Sequence, residues 1–413
     1  MKPGYKQTEV GVIPVEWEVK TFAELFAFRN GVNADKGSYG QGTRFINVLE
    51  PITYSHINGP EITGQVTLPE SVVASYAVRR GDVLFNRTSE TQEEVALAAT
   101  YLGTERVVFG GFVIRGRPLD QRLDPVYSGY ALRAPCIRSQ IIPMGQGAVR
   151  ANVGQQNLGL VIVPLPSLAE QRSIAEALTD VDALLTSLDR LIAKHRDLKQ
   201  AAMQQLLTGH TRLPGFKGEW VIKRIGDFTN CTAGGTPSTV VASYWGGSIP
   251  WMSSGELNLK HVDKVEGRIT NEGLCNSSSK MIPKKCVLIG LAGQGKTRGT
   301  AAMNFIELCT NQSIAAIFPN TTFIPEYLYY NLDARYDELR ELSAGDGGRG
   351  GLNLTIIKSI AIPFPALPEQ TAIAEVLSDM DAELTALEHR RDKTRALKQG
   401  MMQELLTGRT RLV

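Results

Sequence analysis

Along residues 164–213 apolar side chains recur at heptad spacing, at Ile174, Leu178, Val181, Leu185, Leu188 and Ile192. The seam weakens at His195 and Lys199 and resumes at Ala202 and Leu206. A second seam runs through Ile373, Leu377, Met380, Leu384 and Leu387, passes Arg391, Thr394 and Lys398, and returns at Met401 and Leu405. This period predicts two helices of about 40 residues, roughly 60 Å each at about 1.5 Å per residue. Ser167 and Glu170 stand at capping-box spacing, Pro368 suits a first helical turn, and Gly209 and Gly408 occupy stop positions. Two seams of equal length in one chain predict an antiparallel coiled coil. The plainer alternative packs each helix on its own neighbouring domain.

The intervening segments alternate over short runs. Gly81–Phe85, Arg106–Val113, Cys286–Leu291 and Gln312–Phe318 predict strands, and 324–342 reads as helical. The chain is therefore of α/β (α+β) class. Two strand-rich domains, 1–163 and 214–362, alternate with helical repeats at 164–213 and 363–413. The repeats align without a gap at an offset of 199 and are identical at 29 of 50 positions. Glu16-Trp17 with Lys20 and Glu219-Trp220 with Lys223 open the two domains alike. Read cyclically, the halves predict a pseudo-twofold ring, the geometry of a C2 dimer copied within one chain.

Composition narrows the function. With 413 residues, 43% hydrophobic and 21% charged, the chain is long enough for two or three cores. No run approaches the length of a membrane helix and the start lacks a secretory signal, so a cytoplasmic protein without membrane contact is expected. Five scattered cysteines (Cys136, Cys231, Cys275, Cys286, Cys309) argue against disulfides and a zinc site, and are expected to be reduced and buried. The net charge of +2 leaves nucleic-acid binding open. Between Lys36 and Lys194, however, thirteen arginines occur without one lysine. The guanidinium fork suits guanine edges and phosphates, although compositional bias explains the count equally well.

Gly290-Leu-Ala-Gly-Gln-Gly-Lys296-Thr297 satisfies the Walker A pattern, which would make the chain a P-loop NTPase. A phosphate loop must run into a helix, and Arg298-Gly-Thr300 breaks one. The segment instead reads as a glycine-rich loop for phosphates and base edges. Methyltransferase, metalloprotease and nuclease signatures are missing, and the five histidines are dispersed. A binding role follows, not a catalytic one. A purely structural coiled-coil tether would leave two unlike domains at equivalent points unexplained. Trp17, Trp220 and Trp251 read as core aromatics.

The paired text P-x-P-x-L-x-E-Q-x-x-I-A-E and K-Q-x-x-M-Q-x-L-L-T-G resembles the repeats of type I restriction-modification specificity subunits. So do Tyr5–Pro14 with Trp17, Gly234–Ser238, Tyr244–Gly247, Ile249–Trp251, Leu291–Gly299 and Thr310–Gln312. Gly81–Phe85 with Asn86-Arg87-Thr88 matches less distinctly.

The resemblance implies two target recognition domains, each reading half of a bipartite site on double-stranded DNA, and helices that dock two methyltransferase subunits. Restriction (translocase) subunits would join, and S-adenosylmethionine, ATP and magnesium would belong to these partners, with no cofactor in this chain. The specificity module of another multisubunit restriction system is the neighbouring alternative. Twofold readers on one face of a duplex call for half-sites about 10 bp apart. The candidate DNA contacts are Gln294, Lys296, Thr297, Arg298, Ser253, Ser254, Arg349 and Asn353 in the second domain, and Asn86, Arg87, Arg115, Arg150 and Gln155 in the first. Ile174, Leu178, Val181, Leu185, Leu188, Ile373, Leu377, Met380, Leu384 and Leu387 are the candidate partner and coiled-coil positions.

Overall fold

Val83-Leu-Phe-Asn86 and Val287-Leu-Ile-Gly290 are buried at all four positions, as strands must be when both faces of a sheet are covered. A computed structural model describes residues 3–147, 150–293, 297–342 and 351–412. The chain divides into two units, Met1–Leu188 with Arg390–Val413, and Asp189–His389.

In the first unit a five-stranded sheet has the order Phe26–Asn30, Val113–Pro118, Val83–Asn86, Ala98–Tyr101, His56–Ile57. In the second the order is Cys231–Ala233, Ile314–Ile317, Val287–Gly290, Ala301–Asn304, His261–Val262. Position by position these are the same sheet. Each is accompanied by a smaller one, built on Tyr39–Ile46 with Val107–Phe109 and on Trp245–Met252 with Leu308–Thr310, both pairs parallel. The run Arg106–Val113, expected as one strand, is two, because the chain turns at Gly110 and Gly111 between them.

Alternation along the central strands assigns their faces. In the first unit Val83 and Phe85 pack with Ile174, Leu178 and Leu405 of the long helices and with Leu406 just beyond. Leu84 packs with Ile46 and Phe109 of the small sheet. In the second unit Val287 and Ile289 pack with Met203, Leu206, Ile373 and Leu377, and Leu288 with Met252 and Leu308. Burying each such side chain contributes about 2 kcal/mol. One face of each sheet thus rests on the helices, the other on the small sheet.

The long helices are Leu168–Leu206 and Leu367–Leu405, 39 residues each, and each supplies residues to both units. Gly209 and Gly408, at φ +71° and +69°, follow their ends and supply the left-handed stop that favours glycine. Of the seam positions, Ile174, Leu178, Leu188, Ile373, Leu377 and Leu384 are buried, and Val181, Leu185, Met380 and Leu387 are half-buried. His195, Lys199, Arg391 and Lys398, where the apolar pattern lapses, are half-buried too, and Thr394 is buried. Polar residues here join the helices. In the first unit Lys398 Nζ meets Asp182 at 2.6 Å. In the second, Lys199 Nζ meets Asp381 at 2.5 Å, His195 meets Glu383 at 3.2 Å, and Arg196 pairs with Glu388. Ascending positions on one helix meet descending ones on the other, so the pairing is antiparallel within each unit, while the apolar seam also packs on the adjoining domain.

The repeated Glu-Gln dipeptide has a specific task. Glu170 and Glu369 are buried carboxylates, and a buried charge must be paired. Trp17 Nε1 donates to Glu170 at 2.9 Å and Trp220 Nε1 to Glu369 at 3.0 Å. Arg411 and Arg212 grip the same carboxylates through two nitrogens each. Ser167 Oγ accepts from the Glu170 amide, but the Glu170 side chain is committed to this clasp, so only half of the expected capping box forms. Gln171 and Gln370, also buried, donate to Pro166 O and Pro365 O and accept from Asp124 N and Ile324 N. Trp17 is a core aromatic, whereas Trp220 and Trp251 are half-buried.

All five cysteines are free. Cys231, Cys286 and Cys309 are buried, Cys136 is intermediate, and Cys275 is exposed, contrary to expectation, at the last position of the short helix Asn271–Cys275 begun on Thr270. Burial pushes the Cys286 thiol up to about 12 and that of Cys309 to about 11. Among the described residues no helix is long and apolar enough to cross a membrane.

Candidate nucleic-acid interface

At one end of each central sheet, main-chain hydrogen bonds draw several separate loops together. In the first unit Arg87 N donates to Phe112 O at 2.7 Å, and Val153 N donates to Arg87 O at 3.0 Å. In the second, Leu291 N donates to Ser313 O at 2.7 Å, and Leu352 N donates to Leu291 O at 3.0 Å. The smaller sheets add a further turn. Gly110 N donates to Ile46 O at 2.9 Å and Asn311 N to Met252 O at 3.0 Å. The turns that follow are closed identically, with Glu50 accepting from Asn47 N at 2.9 Å and Glu256 from Ser253 N at 2.8 Å. Equivalent positions are therefore Arg87 and Leu291, Phe112 and Ser313, Asn47 and Ser253, Val48 and Ser254.

This end collects most of the candidate contacts. Arg87 and Arg150 are exposed, and Arg150 lies 3.8 Å from Glu90. Gln155, half-buried, begins the short helix Gln155–Gly159. Ser254 Oγ accepts from Asn311 Nδ2 at 3.5 Å, and the Ser253 hydroxyl meets the Glu256 carboxylate at 3.1 Å. Asn353 is exposed, and its Oδ1 caps the helix Leu354–Ser359 by accepting from Ile356 N at 3.0 Å. Thr297 and Arg298 are half-buried in the loop that Gly290 closes, through Gly290 N to Thr300 O at 3.0 Å and Gly299 N to Gly290 O at 2.9 Å. Gln294, Lys296 and Arg349 lie outside the described residues. The strand Val287–Gly290 pairs antiparallel with Ala301–Asn304. The glycine-rich segment thus connects two strands and does not open a helix, the context a phosphate loop requires.

Two candidates move from the surface to the frame. Asn86 is fully buried beneath this end, and its side-chain nitrogen and oxygen make no hydrogen bond. Arg115 is 6% exposed and donates to Ala77 O at 3.0 Å, 3.9 Å from Asp82. Arg117 holds Asp82 through two nitrogens, at 2.9 and 2.7 Å. Burial, and then Arg117, lowers the Arg115 pKa from its ordinary value, while the Asp82 hydrogen bonds raise that of Arg117. Neither Asn86 nor Arg115 is placed to meet a duplex.

Inspection of sequence missed Asn47, Leu49, Glu90, Glu94 and Phe112, which line a cleft of about 510 Å³ with Thr88 and Arg150. The shared x-x-x-Glu spacing of Asn47 with Glu50 and Ser253 with Glu256 is the signal that could have found the first two.

The model of the type I restriction modification DNA specificity domain matches residues 14–194 and again 217–395. A putative type I restriction enzyme MjaX specificity subunit from Methanocaldococcus jannaschii is 25% identical over 99% of this chain and 97% of its own length. The EcoR124I/EcoR124II specificity subunit of Escherichia coli is 30% identical over 53% of each chain. The fold is shared with the S subunit of a type I restriction-modification system from M. genitalium, at a TM-score of 0.59 and 17% identity over 98% of this chain and 99% of that one. A duplicated frame, unlike loops at matching ends and two successive family matches lead to one assignment: this chain belongs to the type I restriction-modification specificity family and is the subunit that confers DNA sequence specificity.

Proposed function

We infer that the chain reads a bipartite target on double-stranded DNA, one half with each domain, and performs no catalysis itself. The observation that carries this reading is the repetition of one sheet frame with different side chains at its loop-bearing end: Asn47, Val48 and Phe112 against Ser253, Ser254 and Ser313. Like frames with unlike ends suit two half-sites of different sequence. Arg87, Arg150 and Gln155 in the first unit, and Ser253, Ser254, Thr297, Arg298 and Asn353 in the second, are the contacting residues of this reading, with Gln294, Lys296 and Arg349 completing the second set. Most such bonds reach phosphates and fix position, and a minority read base edges.

Two methyltransferase subunits dock on the long helices and supply S-adenosylmethionine chemistry on adenine. Restriction subunits bring ATP, magnesium and DNA cleavage. Co-expressing the chain with its methyltransferase and sequencing the methylated genome tests the proposal. Two short specific blocks separated by a nonspecific gap are expected, and exchange of residues 214–362 should change one block alone. A continuous methylated motif, or both blocks changing together, overturns it.

A further inference from the structure

The cleft in the first unit carries two apolar side chains that the equivalent positions of the second unit do not. Phe112 and Leu49 are 54% and 69% exposed on its walls, although neither belongs to a core cluster. At the equivalent positions the second unit carries Ser313 and Gly255. Beside the two apolar groups stand the Glu90 and Glu94 carboxylates. Glu94 accepts from Ser89 Oγ at 3.1 Å, and Glu90, largely solvated, faces Arg150 at 3.8 Å.

Carboxylates brought against a polyanion lose binding energy unless they accept hydrogen bonds from base amino groups. In the major groove such donors are adenine N6 and cytosine N4, and thymine alone offers a methyl group. The adenine–thymine pair places an amino donor and a methyl on one edge, matching a carboxylate beside two apolar side chains. Arg150, at the same rim, suits the adjoining phosphate.

We propose that this cleft reads an adenine–thymine pair in the first half-site, with Leu49 and Phe112 covering the thymine methyl and Glu90 accepting from the adenine amino group. The inference rests on the DNA-reading role and goes further, to a base pair and the side chains that choose it.

The test uses the complex of the full chain with its methyltransferase. The first half-site is the block left unchanged when residues 214–362 are exchanged. Each thymine of this block is replaced singly by deoxyuridine, which removes only the methyl, and binding is measured against a scrambled duplex. At one position affinity should fall about fourfold, the value of one buried methyl-sized group. The Leu49→Ala, Phe112→Ala double variant should bind the thymine duplex as weakly as the deoxyuridine one and no longer distinguish them. Both side chains are exposed, and a melting curve unchanged from the parent confirms that the variant folds. If the complex discriminates its target but no thymine of the first block responds, or if the double variant responds as the parent does, the assignment of the cleft fails and the DNA-reading role stands. If the complex fails to tell target from scrambled duplex, both fall.

Discussion

The two units share a strand order and a clasp, yet their sheets are stitched from inside by opposite chemistries. In the first, Arg117 holds Asp82 through two nitrogens, Arg115 stands 3.9 Å from the same carboxylate, and both guanidiniums donate to the Ala77 carbonyl on the small-sheet side. In register with them the second has Cys286, Ala316 and Phe318, the first two buried in an apolar cluster and Phe318 packed against it. The same backbone therefore tolerates an ionic or an apolar filling, provided that each is complete: a buried charge needs its partner, and a buried methyl needs only volume. What the units hold in common is instead concentrated where domain and helices join, at Trp17, Glu170 and Arg411 and at Trp220, Glu369 and Arg212.

The sharpest way to break this comparison is Asp82→Ala. It strands two largely buried guanidiniums and should destabilise the first unit by about 3 kcal/mol. The matching Cys286→Ala removes a sulfur from an apolar site and should cost about 1 kcal/mol. Denaturant titration of both variants checks the contrast, and equal losses would show that the ionic cluster is not structural. Glu170→Ala and Glu369→Ala should each cost about 2 kcal/mol, because the arginine on each carboxylate is about a quarter solvated. Thermal melting that separates the two by a wide margin would deny that the clasp is one repeated device. Smaller still, Lys398→Ala and Lys199→Ala should each lose about 1 kcal/mol, with the losses additive in the double variant.

The smallest effect is a pH dependence. His56 is held by Val126 O at 2.8 Å and Ser55 Oγ at 3.1 Å, and burial lowers its pKa below the ordinary value. The unfolded chain then binds the proton more readily, so stability is full above about pH 6.5 and falls as the pH drops towards the folded value. Between pH 6.5 and 6.0 the fall should stay under about 0.7 kcal/mol. A His56→Phe variant whose stability keeps the same slope in this window would remove His56 as its source.

The rods, the duplication and the family were open to inspection because they rest on period and repetition, which are properties of the chain read in line. The clasp was visible only as repeated letters. Its meaning depends on contacts between residues 153 and 241 positions apart, and nothing local announces them. Lys199 and Lys398 look like lapses in the seam until Asp381 and Asp182 are seen facing them. Arg115 and Arg117 alternate along their strand as solvent-facing residues would, but the turn carrying Ala77 and Asp82 covers that face. Phe112 and Leu49 read as ordinary apolar residues, since exposure is decided by loops whose course no periodicity encodes.

One contact repeated in both units ties a domain to both long helices at once. Tyr130 donates to Asp182 at 2.8 Å, and the same carboxylate takes Lys398 from the opposite helix; Tyr330, Asp381 and Lys199 repeat the arrangement. A plate bolted to a single pole can pivot like a signboard, but one bolted at a point where two poles are themselves riveted cannot pivot about either without shearing the rivet. Within each unit the domain is thereby tied at the point where the two helices are themselves joined, so that turning it about one helix would break that join.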